Sequence, residues 1–174
     1  MKELYLDTKN IAEWKSTVSC GDKIYLSGTV YTARDAAHKR IFELLDNNKP
    51  LPFEIKDSVI YYAGPTPTPN GLAIGSCGPT TSARMDAFAP ALYNLGMACS
   101  IGKGPRSQSV VDAIKNNKSV YLCALGGAGA LASISITECH VLDFEDLGCE
   151  SVKKLVFDRF PLFVGIDANG NSLF

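Results

Sequence analysis

The stretch CGPTTSARMD at 77–86 sets two threonines, a serine, an arginine and an aspartate behind a Gly-Pro breaker, with hardly a bulky apolar side chain among them. Pro79 disfavours helix at Gly78, so the spacing predicts a helix that begins just after it. Thr80, Thr81 and Ser82 would then fall at the cap and first turn. There, hydroxyls and free backbone N–H groups converge and the helix dipole adds positive potential. Thr80 and Arg84 would share one helix face, with Asp86 placed to hold the Arg84 guanidinium. That chemistry suits a carboxylate or a phosphate. The same residue types also describe a capped helix with a solvated arginine, the commoner use of such a stretch.

Other groups of residues invite the same question. In TVYTARDAAHKR (29–40), Arg34 falls at a strand-to-helix corner beside Asp35, a candidate cap, with His38 one turn on. Such corners are where α/β proteins place ligand contacts, although a lone arginine there more often pairs with a surface carboxylate. A histidine at this helical position is more often a packed residue than a catalyst. SIGKGP (100–105) flanks Lys103 with Gly102 and Gly104, which let the backbone approach a ligand; the remaining positions of a P-loop are missing. LGGAGALA (125–132) holds Gly127-x-Gly129-x-x-Ala132, a variant dinucleotide fingerprint, with Asp143 at the end of the next apparent strand. The intervening LASISI is too short for a crossover helix, which argues against a Rossmann unit.

The six cysteines (Cys20, Cys77, Cys99, Cys123, Cys139, Cys149) contain no Cys-x-x-Cys pair. They read as small buried hydrophobes in a reducing compartment rather than as metal ligands. Cys77 stands apart because it abuts the polar motif. With 174 residues, 46% of them hydrophobic, the chain can close a core without disulfides or metal. Seventeen basic against eighteen acidic residues, a net charge of -1, argue against a nucleic-acid partner. The opening MKELYLDTKN lacks the apolar core of a signal peptide, and no apolar run is long enough for a bilayer, so the expected location is the cytoplasm, with no membrane partner.

These residues must be positioned by alternating strands and helices. Strands are predicted over 23–31 (ending or bulging near Gly28), 58–64, 97–104, 119–125, 139–144, 154–160 and 162–167, the last ending in an ANGN turn. Helices are predicted over 34–48, with Ala37, Ile41, Leu44 and Leu45 on one face, over 82–96, kinked or broken at Pro90, and over 107–117. PTPTPNG (65–71) is an ordered loop. The strand–helix spacing is irregular, so the expected fold is a single compact α/β domain with a mixed sheet rather than a doubly wound one.

Taken in order, LSGTVYTARDAAHKR, YYAGP, GPTTSARMD, IGKG and ALGGAGAL resemble the β subunit of class I fumarate hydratases, with the β subunit of L(+)-tartrate dehydratase as a close relative. The resemblance runs from about Leu6 through FPLFVGIDANGNSLF; only DTKNIAEWKSTVSCGDK departs from the usual proline-containing lead-in. It implies a swivelling β/β/α domain over 1–174, forming half of an iron–sulfur hydro-lyase that hydrates fumarate reversibly to (S)-malate, or dehydrates tartrate to oxaloacetate. The implied partner is an α subunit, in a heterotetramer of two α and two β subunits. That partner carries three cysteines holding a 4Fe–4S cluster whose open iron acts as a Lewis acid, and no ligand comes from this chain. Arg34 would clamp one carboxylate of a C4 dicarboxylate, Arg84 would contact the other end, and Lys103 would add positive charge. Thr80 would act as the base at carbon, with Thr81 and Asp86 completing the substrate contacts. A third reading, from a different class, is a non-catalytic dinucleotide- or anion-binding module built on GGAGALA.

Overall fold

Alternation along the central strands decides which side of the sheet each side chain covers. In the computed structural model, which describes residues 1–174, one mixed sheet contains β1 (Glu3–Asp7), β2 (Lys23–Thr32), β3 (Val59–Tyr61), β4 (Cys99–Gly102), β5 (Val120–Cys123), β6 (Ile136–Asp143) and β7 (Val152–Ile166). β1 to β5 run parallel to their neighbours, whereas β7 is antiparallel to β2, β5 and β6. Because β7 pairs with both β2 and β5, strands β2, β3, β4, β5 and β7 close into a barrel flanked by β1 and β6. Val59 and Tyr61 of β3 point into one core with Ile101, Val120 and Leu122. Ile60 and its outward neighbour Tyr62 join a second core, against the helices. Full burial of each such side chain is worth about 1.5–3 kcal/mol.

The helices are α1 (Ile11–Trp14), α2 (Asp35–Asp46), α3 (Ala89–Asn94), α4 (Gln108–Asn116) and α5 (Gly129–Ile134). In α2 the expected face holds: Ala37 and Ile41 are buried, and Leu44 and Leu45 pack against the same core. Arg34 rather than Asp35 occupies the N-cap position, in extended conformation and without a side-chain cap. The N–H of Ala36 is met instead by Glu150 Oε2 at 2.9 Å, from a distant turn. The helix predicted over 82–96 is two pieces, a 3₁₀ turn at Ser82–Met85 and then α3. Pro90 lies in the first turn of α3, where a missing N–H is tolerated, so it starts a helix instead of kinking one.

The two strands predicted at 154–160 and 162–167 are one strand, β7, interrupted by a bulge. Leu26 pairs with Phe160 and Gly28 with Phe157, so Asp158 and Arg159 together oppose Ser27. Arg159 takes the left-handed conformation at φ 49°, and its N–H donates to Ser27 Oγ at 3.0 Å. The extra residue turns Phe157 and Phe160 to the same side, stacked 4.2 Å apart in the barrel core. The register breaks near Gly28 (φ 102°), where the sequence suggests an end or a bulge, but the extra residue lies on β7; a Cβ on Gly28 would lie 2.3 Å from Thr8 Oγ1. No helix is long and apolar enough to cross a membrane.

Candidate functional site

Since β2, β3, β4 and β5 are parallel, their C-terminal ends lie along one edge, where α/β sheets characteristically bind ligands. Each end carries one of the sequence motifs: Arg34 follows β2, Ala63 and Gly64 follow β3, Lys103 follows β4, and Gly126–Gly129 follows β5. Residues 77–82 run across these ends as an extended strap. Tyr61 OH donates to the Cys77 carbonyl at 2.7 Å, and the Cys77 N–H donates to the Gly129 carbonyl at 3.0 Å. Pro79 bridges to Ala63, and the Thr80 N–H donates to the Tyr62 carbonyl at 2.7 Å. Thr81 bridges to Lys103, and the Ser82 N–H donates to the Lys103 carbonyl at 2.9 Å. Tyr121 OH donates to the Gly104 carbonyl at 2.9 Å, so the Ser82 hydroxyl, 2.9 Å away, donates to Tyr121. A Cβ on Gly102 would sit 1.9 Å from Ser82 Oγ; only glycine lets the strap lie this close to β4.

The helix-start anion site expected of this stretch does not form. Thr80 precedes the 3₁₀ turn instead of occupying a helix, so it shares no helix face with Arg84, and the N–H groups of Thr80 and Ser82 are spent on strand carbonyls. What the strap does is fix side chains. Thr81 is exposed, Thr80 half-buried, and Ser82 buried as the anchor.

The charges pair differently from expectation. Asp86 holds Arg106, not Arg84: Arg106 Nε lies 2.7 Å from Asp86 Oδ1, and Asp86 Oδ2 accepts the Ser107 N–H at 2.6 Å. The Arg106 side chain is 0% exposed, donates to Ser100 Oγ at 3.1 Å and sits against the Tyr62 and Tyr121 rings. Arg106 was not singled out by its neighbours in sequence; Asp86 lies twenty positions away, and no local pattern marks the pair. Arg84 is half-exposed and faces both oxygens of Asp35, with Nε 3.1 Å from Oδ1 and Nη2 2.8 Å from Oδ2. Arg34 lies over Gly64, where a Cβ would come within 2.7 Å of Nη1, and its Nη2 is 3.5 Å from Glu150 Oε1. Its Nε is buried without a partner. With Glu150, Asp35 and Asp86 committed to these three arginines, Lys103 has no carboxylate partner, and its stem lies over Gly126. None of the five main clefts is lined by Arg34, Thr80, Arg84 or Lys103; these groups stand on an open edge.

His38 is fully buried. It sits 5.4 Å from the Phe88 ring and 5.6 Å from the Tyr62 ring, with Nδ1 2.8 Å from the Arg34 carbonyl. That contact makes Nδ1 the protonated nitrogen and leaves Nε2 without a partner. Burial lowers its pKa to about 4, so it stays neutral near pH 7. It supports the start of α2 from below and stands among core side chains.

The cysteine donor set does not fit an iron–sulfur cluster. A cluster is held by several thiolates converging on one point, yet these cysteines stand apart, with Cys77 and Cys99 buried in the barrel core. Cys149 is exposed on the 3₁₀ turn at Glu145–Glu150, and no three His, Cys, Asp or Glu side chains come together. The GGAGALA segment is no dinucleotide fingerprint either. The six-residue α5 leads into β6, which pairs antiparallel with β7, so the parallel crossover of a Rossmann unit is missing.

A sequence model of the family described as Fumarase C-terminus matches residues 1–174. Fumarate hydratase 2 of Leishmania major is 44% identical over 156 residues, covering 88% of this chain and 28% of its own. The aerobic class I fumarate hydratase of Escherichia coli K12 is 40% identical over 168 residues, 95% of this chain and 31% of its own. The E. coli L(+)-tartrate dehydratase subunit beta is 33% identical over 178 residues, covering 99% and 87% of the two chains. The chain thus spans less than a third of each of these two fumarate hydratases.

Proposed function

The chain belongs to the fumarase C-terminus family, and from that premise we propose that it supplies the dicarboxylate-holding side of a carbon–oxygen hydro-lyase acting on fumarate and (S)-malate. The observation that carries this is the gathering of Arg34, Thr80, Thr81, Arg84 and Lys103 along one edge of parallel strand ends, with Lys103 free of any carboxylate. Arg84 keeps an exposed face with capacity to receive a carboxylate, and Arg34 presents the accessible part of its guanidinium beside Glu150. Asp86 acts indirectly, by fixing Arg106 and the turn that follows Lys103.

Thr80 is the group we assign to the proton at carbon. In hydration its hydroxyl delivers that proton to one alkene carbon; in the reverse direction its oxygen removes it. An alcohol is a poor base near neutral pH, so the alkoxide character must be stabilised by nearby cations, for which Lys103 and Arg84 are the candidates. The hydroxyl at the other carbon belongs to the part of the enzyme outside this chain. An α subunit bearing a 4Fe–4S cluster, in an assembly of two α and two β subunits in the cytoplasm, completes the reading. The cysteines here do not fit such a cluster, which supports placing it on the partner.

Tartrate is the second substrate considered, because subunit beta of L(+)-tartrate dehydratase is also similar to this chain. The identity to fumarate hydratases, 40–44% against 33% and 38% for two tartrate dehydratase subunits beta (the second a putative one), favours fumarate. The test is anaerobic assembly with the α subunit, assayed with fumarate, (S)-malate and L(+)-tartrate. Fumarate turnover is expected, with Thr80→Ala lowering it by about a hundredfold or more while the complex still assembles. Wild-type turnover by Thr80→Ala removes the threonine from this role; iron-free turnover by the chain alone overturns the two-part enzyme.

A further inference from the structure

The motif LGGAGALASISI meets the active edge only through its glycines, and its larger side chains are exposed. Leu125 is 58% exposed, Leu131 69% and Ile134 77%, and α5 buries none of its residues. Ala132 packs against the barrel core and the Gly129 carbonyl takes the Cys77 N–H, but the larger apolar side chains of α5 find no cover within the chain. The surface continues beyond it into a cleft of mixed character, where Ser135, Asp158 and Arg159 flank the aromatic rings. Leu125 and Leu131 line a cleft of about 100 Å³ with Pro161, while Ile134 lines a larger one with Tyr5 and Tyr25, whose rings stack 4.8 Å apart. Tyr25 and Pro161 are opposite each other in the β2–β7 register, which joins the two clefts into one stripe. Contiguous exposed apolar surface of this kind marks an interaction site.

We propose that this stripe is the docking surface for the larger part of the hydro-lyase, the α subunit or its fused equivalent; the inference rests on the two-part reading above. Two observations select that occupant over a second copy of the chain. First, the stripe is continuous with the active edge: Gly129 accepts the Cys77 N–H at 3.0 Å, Gly78 abuts Gly129, and Gly126 lies under Lys103. A partner that completes a site at Thr80 and Lys103 meets α5 next. Second, the matched region is only 28–31% of the fumarate hydratases but 87% of the tartrate dehydratase subunit beta. In the former the remaining chain is tied covalently to this domain; in the latter a separate chain must present the equivalent face. The glycines of the motif bring the segment against the strap, and its leucines and isoleucine meet the partner.

The α subunit, prepared anaerobically, is titrated with this chain and with Leu131→Asp/Ile134→Asp, the affinity being read by biolayer interferometry. Because these side chains are solvated in the free chain, the double variant is expected to keep the wild-type thermal midpoint while losing about a hundredfold or more in affinity. Leu95→Asp, at a position 50% exposed and at the end of α3, is expected to bind as wild type. Wild-type affinity in the double variant overturns the docking surface, whereas no binding even by wild-type protein overturns the two-part reading itself. Concentration-dependent dimerisation of the chain alone, abolished by the double variant while α binding persists, assigns the stripe to a second copy and overturns the proposal as well.

Discussion

Arg34 and His38 are one turn apart on α2 and show how differently two polar residues of one motif are used. The guanidinium leaves the helix start to lie over Gly64, while the imidazole turns inward and holds the Arg34 carbonyl at 2.8 Å. Burial keeps His38 neutral by lowering its pKa to about 4; Arg106 adds to the lowering, while the Arg34 hydrogen bond and Asp35 oppose it. The unfolded chain takes up this proton near the ordinary imidazole value of 6.5, and the folded chain only near 4. The native state is therefore free of penalty above about pH 6.5 and loses stability steadily as the pH falls to about 4. The loss is on the order of 3 kcal/mol. His38→Asn keeps a short amide donor for the Arg34 carbonyl but cannot titrate there. Urea unfolding near pH 7 and about pH 5 is expected to show a smaller drop for the variant than for wild type. Equal drops would mean that His38 does not sense the change.

At the scale of elements, the strap at 77–82 depends on the close approach of Gly102 and Ser82. Adding a methyl group at Gly102 places carbon 1.9 Å from Ser82 Oγ and 2.9 Å from Tyr62 Cδ2. Gly102→Ala is expected to destabilise by about 1–3 kcal/mol through overpacking, and to lower turnover of the assembled enzyme by shifting Thr80. Ser82→Ala removes the clashing atom along with its bond to Tyr121, so in the double variant it costs less than alone. A cycle measured by urea unfolding must be non-additive; additive losses would show that the two positions do not meet. This contact also marks where the sequence stops being legible. The core-facing helix positions, the register break near Gly28 and the mixed sheet follow from local periodicity and glycine. The helix over 82–96 does not, because the Thr80 and Ser82 N–H groups donate to the Tyr62 and Lys103 carbonyls and lie in an extended strap. The Asp86–Arg106 pair, the Asp35–Arg84 pair and the Glu150 contact to α2 join residues far apart in sequence. β1 is equally hidden: its five residues are held by parallel pairing with β2, roughly twenty positions on. The cationic positions Arg34, Arg84 and Lys103 were legible only as ordered motifs, since each taken singly describes an ordinary turn or cap.

The whole molecule is a closed barrel with a helical layer on part of its outside, and its cations are concentrated on an edge with no enclosing wall. Such a domain folds around its own two cores, and a dicarboxylate held as proposed would stay open to water on at least one side. Interactions between exposed charges are screened over about 8 Å at physiological ionic strength, and two of the three cations there already face carboxylates of the chain. The isolated protein is therefore expected to bind succinate, a non-reacting C4 dicarboxylate, only in the millimolar range, equivalent to about 4 kcal/mol. Raising the salt from about 20 to about 200 mM should weaken that binding several-fold. Lys103→Ala should abolish it, because Lys103 is the cation without an internal partner. Chemical-shift titration of the labelled chain reads both effects, and the resonances that move should be those of Thr80, Thr81, Arg84 and Lys103 rather than those of α5. Micromolar, salt-insensitive binding would show that the site is already complete within this chain, leaving a second subunit no part in holding the substrate.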